Sequence, residues 1–265
     1  MSYFLKTLET TIKLDFLNFS DESFTGDFLA PKEGREEEID IKFFKDADGA
    51  IVEKLKKITP RGSIIKMHRW GKYCKIFDIA RRRTFCFFTE GVPMDYLAPR
   101  AVDDSFLMFQ DALDIMFLHS ASIVINGNAY LFIAPSGGGK STIAELARDK
   151  GLQVLEDESC IVKRKGDRFF TGSFPSGFPP ASMQEVAGIF FLNKADRNKA
   201  VKFSATEALR KALPEATSIY SVHIPDDRKT DYRRYVFNFI SSMLDNVNFK
   251  LLDFTAQPEV FSCLV

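Results

Sequence analysis

Through the first hundred positions, apolar residues alternate with polar ones or cluster in short β-branched and aromatic runs. Such runs at 39–44, 63–67, 74–79 and 84–89 predict strands. Polar, glycine-containing turns separate them, as at Asp46-Ala47-Asp48-Gly49, and residues 28–38, with Pro31, Gly34 and a glutamate run, read as a loop or edge. Near Asp103 the period changes. Phe106, Phe109, Leu113, Met116 and Phe117 recur at helical spacing and predict a helix over 105–118, with Asp103 and Asp104 as its caps. Residues 120–133 then read as two strands joined at Asn126-Gly127, a turn pair that favours a tight hairpin.

The second of those strands, 129–133, runs into a glycine-rich loop. A helix over 141–149 follows, with Gly151 as its stop, and then a buried strand over 153–155 that ends at Glu156-Asp157-Glu158. A hairpin is expected at 159–163 and 167–172 with Gly166 in its turn, then a Pro/Gly-punctuated loop over 172–181 and a strand at 187–192. Ser204-Ala205-Thr206-Glu207 is a capping box opening a helix over 207–213. A last helix at 233–244 and a strand at 249–254 complete the order. The pattern predicts an α/β chain in two parts, a β-rich region at 1–104 and a mixed domain at 105–265.

Composition narrows the function classes. The 36 basic residues balance the 36 acidic ones, so nothing in the charge argues for nucleic acid or an anionic membrane as partner. Cys74, Cys86, Cys160 and Cys263 form no CxxC pair and lack histidines at ligand spacing, which argues against zinc and for reduced thiols in a cytoplasmic setting. The N-terminus lacks the basic-then-apolar pattern of a signal peptide, and no apolar run approaches the roughly 20 residues of a membrane span.

The chemistry concentrates in Ala134-Pro135-Ser136-Gly137-Gly138-Gly139-Lys140-Ser141-Thr142. This matches the phosphate-loop pattern except that Ala134 stands at the first glycine. Successive amides from Gly137 to Thr142, with Ser136 at the turn, can wrap a phosphate, and the following helix N-terminus adds its positive end. Lys140 would reach the β- and γ-phosphates of ATP, and the Ser141 hydroxyl would ligate Mg²⁺. A parallel strand beside the loop strand would bring Glu156-Asp157-Glu158 to the phosphates. There Asp157, and after it Glu158, could hold Mg²⁺ or take a proton. Transporter-type ATPases are argued against, since no LSGGQ-like stretch occurs. His119 ends an apolar segment, where a lone histidine is more often a hydrogen-bonded core residue. His68 and His223 read as surface residues. Arg81-Arg82-Arg83 reads as a solvated turn. Residues 174–180 read as a lid or a plain connector, and Arg233 and Arg234 would matter only if folding brings them to the phosphates.

Leu118-His119-Ser120, Gly139-Lys140-Ser141 and Asp157-Glu158, with Phe174-Pro175, Ile189-Phe190-Phe191-Leu192 and the strand 249–254, resemble the catalytic domain of HPr kinase/phosphorylase and its relatives of unassigned substrate. The resemblance spans roughly residues 105–265. It implies a P-loop domain of the HPr kinase/phosphoenolpyruvate carboxykinase-like type. It also implies an ATP- and Mg²⁺-dependent kinase acting on a hydroxyl of a protein, peptide or small molecule, with a homo-oligomer allowed. It places Lys140 and the loop glycines on the triphosphate, Ser141, Asp157 and Glu158 on Mg²⁺, one of the two acids as base, and His119 near the phosphates. The rival reading is a nucleotide-sensing module that binds ATP without transfer. A carboxykinase-like decarboxylation lacks the arginine set and second metal site it would need.

Overall fold

Aromatic and β-branched runs of the N-terminal part pair into one mixed sheet. The computed structural model describes residues 2–7, 10–18, 38–45, 63–67, 73–172, 183–218 and 220–264. Residues 28–37 of the loop expected at 28–38, the turn at 46–49, His68, and residues 173–181 with Phe174-Pro175 lie outside these, while Glu38 opens a strand. The chain divides into two compact units, Met1–Phe109 and Gln110–Val265. Both are mixed α and β. Among the described residues, no helix is long and apolar enough to cross a membrane.

In the first unit the strands are β1 (Ser2–Thr7), β2 (Thr10–Asn18), β3 (Glu38–Lys45), β4 (Ser63–Met67), β5 (Tyr73–Asp78) and β6 (Arg83–Phe88), in spatial order β1-β2-β3-β6-β5-β4. β3 runs parallel to both β2 and β6, and the other pairs are antiparallel. Four strands stand where the alternation put them. β1 and β2 were missed, because their lysines and threonines dilute the apolar signal. Helix α1 (Met94–Met108) packs on β3, β5 and β6 through Leu97, Ala101, Val102 and Phe106. Lys75, wholly buried in β5, reaches α1, where its Nζ lies 2.8 Å from Asp104 Oδ2 and donates to the Arg100 carbonyl at 3.1 Å. In the arginine turn, Arg81 bonds Asp78, but Arg83 belongs to β6 and is buried against Asp40.

The helix expected over 105–118 is corrected. α1 ends at Met108, Gln110–Leu113 forms one further turn (α2), and Ile115–Leu118 is strand β7. Asp103 and Asp104 lie inside α1 rather than capping it. Four consecutive buried apolar residues satisfy either period. What decides is Asp114, which adopts φ +52° and ends the helical path. Its carboxylate is gripped by Arg164, Nε at 2.8 Å and a terminal nitrogen at 2.9 Å, a bidentate pair that fixes the corner.

The second unit is built on β8 (Ser120–Ile125), β9 (Asn128–Ile133), β10 (Gln153–Glu156), β11 (Cys160–Lys165), β12 (Arg168–Gly172) and β13 (Gln184–Lys194), with β14 (Lys199–Lys202) and β15 (Asn248–Phe254). The order is β10-β8-β9-β13-β12-β11-β7, with β15 also paired to β13 and to β14. Asn126 and Gly127, both at positive φ, make the β8–β9 turn. β13 runs parallel to β9 and β15. Helix α3 (Lys140–Asp149) covers the face carrying Ala121, Ile123, Phe132, Phe190, Leu252 and Phe254. One residue along, Phe191 and Phe249 point to the other face and meet Phe203. Helix α4 (Ala205–Thr217) begins with the expected Ser204/Glu207 capping box and runs on past Leu213. It packs on α5 (Lys229–Leu244) and touches β7 and β15. The four cysteines are free thiols, three of them buried.

Candidate functional site

Strand register brings three chain segments to one end of the second sheet. Ser120, which opens β8, pairs with Ile133, which closes β9, so His119 flanks Ala134. Glu156 at the end of β10 pairs with Ser122 of β8, so Asp157 and Glu158 emerge at the same end. Contrary to the expectation, the acidic strand is not the loop strand's neighbour. It lies beyond β8, antiparallel to it, and so points the same way as β9. It is also an edge strand, with only Leu155 of its four residues buried. The resulting cleft, ≈ 400 Å³, is lined by His119, Ser136, Gly137, Gly139, Lys140, Ser141, Thr142, Asp157 and Glu158.

The glycines shape the loop in different ways. Gly137 takes φ +76° and faces open space. Gly138 donates to the Pro135 carbonyl at 2.9 Å, and a Cβ there would stand 2.6 Å from Ala134 Cβ. Gly139, at φ +106°, stands directly before α3, and a Cβ there would come within 2.4 Å of the Phe254 ring. The loop thus has the tight, side-chain-free curvature that a phosphate cradle requires, and it opens on a helix N-terminus. Lys140 is buried, with Nζ donating to the Ala134 carbonyl at 2.6 Å. Burial holds its ammonium below the ordinary value, while the carboxylates of Glu215 and Glu158 act in the opposite direction.

The donor set fits a hard divalent cation in kind. The Ser141 hydroxyl and the Glu158 carboxylate are oxygen donors on one cleft. Asp157 is engaged differently, its Oδ2 accepting from Arg148 of α3 at 2.6 Å. Among the described residues no group of three or more His, Cys, Asp or Glu side chains is close enough to hold a metal by itself. Any such site would be completed by ligand oxygens. His119 is mostly buried, and its Nδ1 lies 3.0 Å from Glu215 Oε2.

Of the residues singled out around the loop and the acids, His119, Ser136, Gly137, Gly139, Lys140, Ser141, Thr142, Asp157 and Glu158 share this cleft, whereas Ala134, Pro135, Gly138 and Glu156 do not line it. Arg233 and Arg234 do not reach it: Arg234 pairs with Asp231 on the exposed face of α5. His223 is exposed. Arg148 and Glu215 were missed. Arg148 carries no signal beyond its place on the helix after the loop. Glu215 lies 96 residues from His119 and past the expected end of its helix.

The model of the family described as SynChlorMet cassette protein ScmC matches residues 106–262, more than half of the chain. The chain belongs to the ScmC family. This corrects the resemblance to HPr kinase/phosphorylase: the ScmC model claims the very span that resemblance covered, and no HPr kinase family model matches. Of the short stretches that carried the likeness, His119 and the acids stand at strand ends, Gly139-Lys140-Ser141 closes the glycine loop, and 189–192 and 249–254 lie in strands β13 and β15. The ScmC match nearly coincides with the second unit, so the loop, His119, the acids and Glu215 all fall within it. No curated protein matches the chain.

Proposed function

We propose that this ScmC protein is a magnesium-dependent kinase, built on a P-loop domain, that transfers the γ-phosphoryl group of ATP to a hydroxyl of a protein, peptide or small molecule. One observation carries the reading: a glycine-shaped loop ending in Lys140-Ser141 shares a single cleft with His119, Asp157 and Glu158. Magnesium-bound ATP would supply the transferable group and part of the charge neutralisation. The amides from Gly137 to Thr142 bind and orient the phosphates. Lys140, already desolvated, exchanges the Ala134 carbonyl for a phosphate oxygen, which strengthens its hydrogen bond. Ser141 and Glu158 offer the oxygen donors for the cation. Asp157, tied to Arg148, stands at the cleft rim as a second acid for the cation or the acceptor proton.

The test is transfer from γ-labelled ATP, with Mg²⁺, into a lysate of the native host, comparing wild type, Lys140→Ala and Asp157→Asn. Lys140→Ala should weaken nucleotide binding roughly 10- to 100-fold, the worth of a lost charge-assisted bond. Asp157→Asn should spare most binding and slow transfer. A labelled product seen only with wild type supports the kinase. Tight ATP binding with no labelled product in any fraction would replace it with a sensing module.

A further inference from the structure

Glu215 grips His119 twice. The His119 amide donates to the Glu215 carbonyl at 3.3 Å, and His119 Nδ1 faces Glu215 Oε2 at 3.0 Å. An ionised carboxylate only accepts hydrogen bonds, so Nδ1 carries a proton, and in the neutral ring the lone pair is then on Nε2. His119 lines the cleft with the loop and the acids, whereas Glu215 does not. Glu215 lines a neighbouring cleft with Ala134, Pro135 and Pro214. Among the described residues Nε2 has no hydrogen-bond partner, and the ring that carries it lines the cleft, while Nδ1 is taken up by Glu215, which does not. Asp157, the other candidate base, already accepts from a guanidinium.

We infer that His119 and Glu215 form the proton-accepting dyad of the site, with His119 as the catalytic base and Glu215 as its positioning residue. This rests on the kinase reading above. As the acceptor hydroxyl oxygen forms its bond to the γ-phosphorus, the bond from that phosphorus to the β-bridging oxygen breaks and ADP leaves. The hydroxyl proton passes to His119 Nε2. Nδ1 keeps its proton toward Glu215, whose charge stabilises the imidazolium until Nε2 releases its proton to water. Glu215 also faces Lys140 electrostatically, so one carboxylate serves both the base and the phosphate-binding cation.

The chain has three histidines, so imidazole ¹⁵N spectra resolve His119 once it is assigned with His119→Gln. Wild type should show neutral His119 as the Nδ1–H tautomer. Glu215→Leu should shift it to Nε2–H, the form favoured in free histidine, because the main-chain bond survives but the side-chain acceptor is gone. Glu215→Gln, which keeps an accepting oxygen without the charge, should retain Nδ1–H and guards against a Leu variant that fails to fold. With Mg²⁺ and saturating γ-labelled ATP, transfer should fall on the order of 100-fold in Glu215→Leu, the lower range for general base catalysis. Glu215→Gln should lie between. An Nε2–H tautomer in wild type overturns the dyad, as does unchanged transfer in Glu215→Leu. If wild type transfers nothing, the kinase reading falls, and the tautomer comparison still decides whether Glu215 sets His119.

Discussion

Replacing each loop glycine by alanine separates backbone conformation from space. At Gly139 both oppose a side chain. The residue sits at φ +106°, outside the regions L residues occupy, and its new methyl would lie 2.4 Å from Phe254 Cζ, where carbon contacts normally stand near 3.5–4.0 Å. Strain of about 1–2 kcal/mol and overpacking of about 1–3 kcal/mol give a loss on the order of 2–5 kcal/mol. Gly137 has positive φ but open space, so Gly137→Ala costs about 1–2 kcal/mol, and its methyl faces the cleft. Scanning calorimetry of the full chain reads both, because a unit of this size moves about 2–4 °C per kcal/mol. Gly139→Ala should lower the transition of the second unit well below that of Gly137→Ala, whereas Gly137→Ala should lose more nucleotide affinity than stability. Phe254 is buried in the α3 core, so Phe254→Leu alone should cost under about 1.5 kcal/mol and should recover about 1 kcal/mol in the double variant. Equal melting of the two glycine variants, or strict additivity with Phe254→Leu, would refute the packing argument.

Two further outcomes test the buried ion pair of the first unit and the thiols of both. Asp104→Asn leaves the wholly buried Lys75 ammonium without its counter-charge and should cost about 3 kcal/mol by urea unfolding, while Lys75→Met with Asp104→Leu should be near neutral; a loss under about 1 kcal/mol for Asp104→Asn would show that the pair is not desolvated. Burial pushes the thiol of Cys74 up to about 11 and those of Cys86 and Cys160 up to about 12, so in the native chain at pH 8 a thiol reagent should label the half-exposed Cys263 and leave the other three until unfolding. The sign follows: the folded state holds the neutral thiols, so their contribution is intact below the ordinary thiol value and is lost as pH rises toward 12. Rapid labelling of all four at pH 8 would contradict the buried placement.

What could be read in the sequence was what local geometry dictates. Asn126-Gly127 demands positive φ at two successive residues, Ser204 and Glu207 satisfy each other's amides, and the glycine run before Lys140 has few uses beyond a tight loop. Residues 115–118 were misread because four buried apolar residues suit a helix or a strand, and the deciding contact, Arg164 on Asp114, comes from 50 residues away. Arg148 on Asp157 and Glu215 on His119 were invisible for the same reason: each partner sits on a helix whose facing surface is set only by packing. The family misassignment has a related cause. Once Ser120 pairs with Ile133, any residue before β8 stands beside the loop, and any acid ending a strand two places over reaches the same edge. A histidine, a glycine loop and an acidic pair at those positions therefore report a shared sheet end and do not by themselves assign a family. Descent is better judged over the whole of residues 106–262, a span that takes in the buried core around Phe132, Phe190 and Phe254 as well as the cleft.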